Sequence, residues 1–190
     1  MNSYLQLVSK EFPLEKKTRA PHLVLATFSE EEVYLQPEVA NQWERLVKVL
    51  KIEHEICLLD GYRTEKQQRH LWEYSLKENG LAYTKQFVAL PGCSEHQLGL
   101  AIDVGLKDQQ DNLICPRFHG SEAADLFTQE MMNYGFILRY PVDKQEITGI
   151  GYEPWHFRYV GLPHSQIIAS QQWTLEEYHQ YLEQTARQLA

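Results

Sequence analysis

The sequence predicts an α+β fold: a single domain, 1–190, with a mainly antiparallel central sheet flanked by helices. Three observations carry that prediction. Helical and strand patterns are mixed without regular β-α-β alternation. LAIDV (100–104), FILRY (136–140) and HFRYV (156–160) alternate with the two-residue period of a strand. Two capping-box patterns, Thr64 with Gln67 and Thr174 with Glu177, each open a helical stretch.

In chain order, HLVLA (22–26) and EVYLQ (32–36) are predicted as short strands, the second stopped by Pro37. Val39, Trp43, Leu46, Val47 and Leu50 recur at helical spacing and predict an amphipathic helix over 38–51. ICLLD (56–60) is a short buried strand that runs into a loop at Gly61. The helix opened by Thr64 is expected to end near Gly80. FVAL (87–90) is predicted as a strand, closed by the turn signal Pro91-Gly92. LAIDV is the clearest strand, and the polar stretch 106–114 after it reads as a hairpin or exposed loop. Ser121 caps a helix through Tyr134, with Gly135 closing it. The segment 141–152 is expected to be a loop between two strands. Leu175, Tyr178 and Leu182 mark the inner face of a C-terminal helix.

A net charge of −8 excludes a general nucleic-acid or anionic-membrane binder, since both need a basic surface. It leaves room for an anionic small substrate held by a local arginine. The first residues, MNSYLQLVSKEFPLEKKTR, contain no apolar run long enough for a signal-peptide core or a membrane span. Cys57, Cys93 and Cys115 give no disulfide framework, which suits a reducing compartment. The expectation is a cytoplasmic protein without a membrane anchor.

The chemistry centres on CSEHQLGLAIDVG (93–105). Leu100, Ile102 and Val104 point to one face of its strand, and Gly99, Ala101 and Asp103 to the other. A carboxylate thus shares its face with residues that have almost no side chain, which leaves space around it. His96 stands just upstream, and His156 opens a later strand in the run Tyr152-Glu153-Pro154-Trp155-His156. The other histidines, His22, His54, His70, His119, His164 and His179, read as surface residues.

Two imidazoles and a carboxylate are a common ligand set for catalytic zinc, which keeps a further position open. The odd interval from His96 to Asp103 would put them on opposite faces of one straight strand. His96 is therefore expected on a turn before the strand, which Gly99 permits. Glu153 is the candidate general base, with Pro154 stiffening the link from base to ligand. Arg63, in a loop just before a helix, is the candidate donor to a developing oxyanion.

Taken singly, each residue has a plainer reading: Asp103 as a strand-end aspartate bonded to backbone, His156 as a core histidine, Glu153 as a solvated loop carboxylate. Taken jointly, two histidines, an aspartate with a cleared face and a glutamate spaced for a base favour the metal site. Cys93 and His96 have a Cys-x-x-His spacing, but no second pair completes a structural zinc site. No Gly-rich phosphate loop, HExxH helix or GxSxG elbow occurs.

GYRT (61–64), SEHQLGLAID (94–103) and EPWH (153–156) resemble the Ser-x-His-x6-Asp and Glu-x-x-His signatures of the zinc D-alanyl-D-alanine peptidases. That group takes in VanX-type dipeptidases, VanY-type carboxypeptidases and the fold relatives of hedgehog signalling domains. With PGCSEHQ and YEPWHFRYVGLPHSQ, the chain resembles most the bifunctional VanXY-type D,D-dipeptidase/D,D-carboxypeptidases. The resemblance implies a hedgehog-like fold and one Zn2+ per chain, held by His96, Asp103 and His156. It implies Glu153 as base, Arg63 steadying the oxyanion, and Gln68 and Ser94 in contact with the substrate's terminal residue.

The substrates implied are free D-Ala-D-Ala and the D-Ala-terminated UDP-MurNAc-pentapeptide, whose removal would confer vancomycin resistance. Serving both calls for a movable or open pocket wall, for which 106–114 and 79–92 are the candidates. Two alternatives remain at this stage: a metal-retaining binding module without turnover, which would have no need of Glu153, and a carboxypeptidase that remodels peptidoglycan.

Overall fold

The computed structural model describes residues 3–15, 21–107 and 114–188. Four strands form one antiparallel sheet in the order β3 (Ile56–Asp60), β4 (Ala101–Leu106), β6 (His156–Tyr159), β5 (Phe136–Leu138). A separate two-stranded ribbon pairs β1 (Val24–Leu25) with β2 (Tyr34–Leu35). The six helices among the described residues are α1 (Pro37–Leu50), α2 (Glu65–Phe87), α3 (Glu122–Glu130), α4 (Gln145–Thr148), α5 (His164–Gln171) and α6 (Leu175–Gln188). The mixed helical and antiparallel architecture is the one the sequence predicts.

Local rules account for most boundaries. Pro37 sits at the first turn of α1, where its missing N–H costs nothing. Thr64 and Gln67 form the reciprocal capping box at α2, and Thr174 with Glu177 does so at α6. Ser121 Oγ accepts from the Ala124 N–H at 3.2 Å to start α3, which tightens into a 3-10 turn over Met131–Tyr134 before Gly135.

Alternation along the strands separates two faces. Ile102, Phe157, Phe136 and Leu138 join Trp43 of α1 and Phe127 of α3 in the main hydrophobic core. Asp103, His156, Arg158 and Ile137 project from the other face by the two-residue period. A second, smaller cluster packs Leu5, Ile137, Val160, Ile168, Leu175 and Tyr178 beneath α5 and α6.

Several expectations are corrected. HLVLA and EVYLQ yield only two paired residues each. The helix opened by Thr64 does break at Gly80, as expected, with non-helical backbone there at φ 80° and ψ 170°. What the sequence reading lacks is the further helical segment that runs on to Phe87, tied back across the break by a buried 2.8 Å contact between Ser75 Oγ and Thr84 Oγ1. Phe87 therefore ends a helix, and FVAL forms no strand; Val88 is the extended C-cap. The loop 141–152 contains the short α4, and α5 has no counterpart among the predicted elements. His164 and His179 are half-buried rather than surface residues, His164 Nδ1 lying 2.7 Å from the Tyr178 hydroxyl. Of the polar stretch 106–114, residues 108–113 lie outside the described residues.

Candidate metal centre and active site

The two central strands bring the site together. In the β4–β6 pairing Asp103 stands directly opposite His156, so their side chains rise on the same face of the sheet. His156 Nδ1 lies 2.8 Å from Asp103 Oδ1. His96 arrives from the 3-10 turn Glu95–Leu98, which ends on Gly99 at φ 66°. That left-handed residue turns the chain from the 3-10 segment into β4, and so carries His96 to Asp103's face despite the odd interval. His96 Nε2 lies 3.2 Å from Asp103 Oδ2.

His96, Asp103 and His156 offer ligand atoms all within 4.8 Å of one another, and all three residues are buried. The donor set suits a divalent cation of the zinc type, and the hydrogen bonds behind it suit it further. His96 Nδ1 lies 2.6 Å from the Gly61 carbonyl, so that nitrogen carries the proton and Nε2 keeps its lone pair for the centre. Gly61 is needed there: a Cβ would come within 2.7 Å of Leu35 and Val33 side-chain carbons and 2.8 Å of the Tyr34 carbonyl oxygen. Burial alone would raise the Asp103 carboxyl, but the two imidazoles outweigh it and hold it well below the usual carboxylate range.

Glu153 and Arg63 line the same small cavity, about 40 Å³, together with Ser94 and Gln68. The Glu153 N–H donates to the Tyr140 carbonyl at 3.1 Å, and the Glu153 carbonyl accepts from the His156 N–H at 3.3 Å, which fixes the two residues relative to each other. Burial pushes Glu153 up to about 8, with Asp103 adding to the rise and His156 and Arg63 opposing it.

Arg63 is aimed by its neighbours. Its Nε and Nη2 donate to Asp60 Oδ2 at 3.2 and 2.5 Å, and Nη1 donates to Gln68 Oε1 at 2.6 Å. Its Nη2 then stands 3.9 Å from Asp103 Oδ2, at the rim of the ligand cluster. Gln68 is 1% exposed, and its Nε2 also donates to the Ala89 carbonyl at 2.7 Å. Both ends of that amide are thus engaged, tying α2 to the segment after it. Ser94 is buried against the cavity, and its hydroxyl does not cap the turn that follows.

The sequence reading brought these seven residues forward, and the fold gathers them around one cavity. It passed over others behind the site: Glu95, Arg139 and Arg158, all fully or almost fully buried, and Tyr140, whose ring stacks on His156 at 5.0 Å between centroids. Glu95 sits inside the quoted SEHQ run, but only strand pairing shows what it meets. Beyond Val88, Ala89, Tyr140 and Ile150 the small cavity adjoins a larger one of about 430 Å³, which shares those four wall residues.

The family described as VanY, D-alanyl-D-alanine carboxypeptidase, matches residues 32–162. The chain is 75% identical over 187 residues to the bifunctional D-Ala-D-Ala dipeptidase and D-Ala-D-Ala carboxypeptidase VanXYC of Enterococcus gallinarum, covering 98% of each. It is 36% identical to the putative carboxypeptidase YodJ of Bacillus subtilis (strain 168), over 92% of this chain and 66% of that one.

Among solved structures, the vancomycin resistance D,D-dipeptidase VanXYg in complex with a D-Ala-D-Ala phosphinate analogue superposes with a TM-score of 0.86 at 39% identity, covering 94% of this chain and 70% of that one. A variant of the vancomycin resistance D,D-pentapeptidase VanY from a VanB-type cassette, in complex with Zn(II), gives 0.77 at 30% identity, covering 92% and 98%. From the sheet that pairs Asp103 with His156 to relatives that match nearly end to end, the chain belongs to the VanY D-alanyl-D-alanine carboxypeptidase family.

Proposed function

We propose that this chain is a zinc-dependent D,D-peptidase that hydrolyses D-Ala-D-Ala and removes the C-terminal D-Ala from the UDP-MurNAc-pentapeptide cell-wall precursor, so conferring vancomycin resistance. One observation carries the reading: two imidazoles and a carboxylate meet within 4.8 Å, in a cavity that also holds a buried glutamate. The near-complete match to a relative with both activities supports the pairing of substrates.

His96 through Nε2, Asp103 through its carboxylate and His156 through Nδ1 would hold one Zn2+. When bound, the ion supplies Lewis acidity to the scissile carbonyl and acidifies water. Glu153 takes a proton from the attacking water and returns it to the leaving amine. A carboxyl poised near neutrality by burial suits that two-way transfer, and a nearby cation brings it down into the proton-accepting form. Arg63, braced by Asp60 and Gln68, donates to the oxygen on which charge develops. Ser94 and Gln68 contact the terminal residue, Gln68 while also holding Arg63.

Phe87, Val88 and Ala89 form the wall beside the cavity, and the adjoining 430 Å³ space gives a longer peptide room behind it. We read the whole chain as one peptidase domain, since Arg158 is bonded to the carbonyls of Tyr4 and Gln6, and Arg139 to Glu176 on α6. Among the described residues no helix is long and apolar enough to cross a membrane. A cytoplasmic address fits substrates made inside the cell and three cysteines that form no disulfide.

The test is D-alanine release from D-Ala-D-Ala and from the pentapeptide precursor, by wild type and Glu153→Ala, with bound zinc measured in both. Wild type is expected to release D-alanine from each. Glu153→Ala is expected to keep its zinc and lose on the order of 10²–10⁴ in turnover. Undiminished release by the variant removes the assigned base.

A further inference from the structure

His156 gives Nδ1 to the ligand cluster, which leaves Nε2 on the far side of the ring. That nitrogen is buried and has no hydrogen-bond partner. Facing it at 3.7 Å is Glu95 Oε2, also buried and also without a partner. An imidazole that binds a cation through Nδ1 must carry its proton on Nε2, and that buried N–H needs an acceptor. Among the described residues Glu95 supplies one, less than about 1 Å from hydrogen-bonding distance.

The rest of Glu95 is anchored. Its Oε1 accepts from Arg139 Nε at 2.7 Å, and Arg158 Nη1 lies 2.7 Å from the same oxygen in ion-pair contact. Arg139 is fastened in turn by a two-pronged contact with Glu176, at 2.9 and 2.6 Å. Arg158 Nη2 donates to the Tyr4 and Gln6 carbonyls at 2.9 and 2.7 Å. Both cations bear on one carboxylate oxygen, and the other is left aimed at the ring.

We propose that Glu95 is a positioning residue: it accepts the Nε2 proton of His156 and thereby turns Nδ1 onto the metal in a single tautomer and orientation. This rests on the metal reading above. The interaction acts on the affinity of the site as well as on turnover, because a ligating imidazole whose rear N–H is bonded is a better and better-aimed donor.

Glu95→Gln tests it. The amide oxygen must face the two arginines, so the NH2 group points at His156, where a donor meets a donor. Competition against a coloured chelator is expected to show zinc held about ten- to a hundredfold more weakly than in wild type. Glu176→Gln loosens Arg139 without touching Glu95 and is expected to keep the wild-type affinity. Equal weakening in both would mark general loosening, and unchanged affinity in folded Glu95→Gln would show no role; either overturns the proposal.

A second measurement needs no variant. In zinc-loaded wild type labelled with 15N-histidine, His156 is expected to carry its proton on Nε2, far downfield and slow to exchange with water. A ring protonated on Nδ1, or an Nε2 proton exchanging at the solvent rate, overturns the proposal. Wild type that binds no zinc at all would instead sink the metal reading.

Discussion

On one face of the four-stranded sheet, Phe157 packs against Phe127 and Phe118 at centroid distances of 4.8 and 5.7 Å, over a core with Ile102 and Trp43. On the other face their chain neighbours Asp103, His156 and Arg158 meet imidazole, carboxylate and guanidinium groups in nearly complete burial. The first face is held by contact area and close packing, which carry no direction. The second is held by directed bonds, each of which fails if its partner moves by an ångström. One set of strands thus divides its labour by residue parity: apolar packing on one side, directed polar contacts on the other.

The comparison can be broken at three points, taken from the largest expected effect to the smallest. Phe157→Ala should cost about 3–5 kcal/mol of folding stability, read by denaturant unfolding. A loss of activity with no change in stability would show that the two faces are not separable in this way.

Arg63→Lys touches only the polar side. A lysine cannot span Asp60, Gln68 and the cavity at once, so turnover should fall on the order of 10²–10³ with the unfolding midpoint nearly unchanged. An equally active variant would remove Arg63 from the oxyanion role.

The third is a pH dependence. Burial raises Glu153 from 4.5 to about 8, so between those values the folded, metal-free protein holds a proton that the unfolded chain releases. Its contribution to stability is present below about pH 4.5 and is lost as pH rises through 8. Chelator-treated wild type should therefore lose stability across that window more steeply than Glu153→Gln. Parallel slopes would show that Glu153 is not buried as a neutral acid.

The two faces also differ in how well the sequence displays them. Alternation in LAIDV and HFRYV, and the helical spacing from Val39 to Leu50, mark the apolar face, because burial repeats with the local period. The ligand cluster was legible from Asp103's small-residue surroundings, from Gly99, and from Glu153 three residues before His156. Gln68 and Ser94 came only through the family resemblance. Glu95, Arg139 and Arg158 were not legible, since their partners are chosen by strand register: Asp103 opposite His156, Ala101 opposite Arg158. FVAL misled because four apolar residues fit a helix end as well as a strand, and the side-chain bond that bridges the Gly80 kink is a tertiary contact.

The bare α-carbon at position 61 has a bearing on how natural variants should be judged. Alleles carrying alanine or serine there would pass as mild substitutions on any scale of residue similarity. Yet the added methyl or hydroxymethyl would crowd Leu35, Val33 and the Tyr34 carbonyl and push the backbone off the imidazole it steadies; on the proposed zinc reading, the damage would surface as weakened hold on the ion during dialysis.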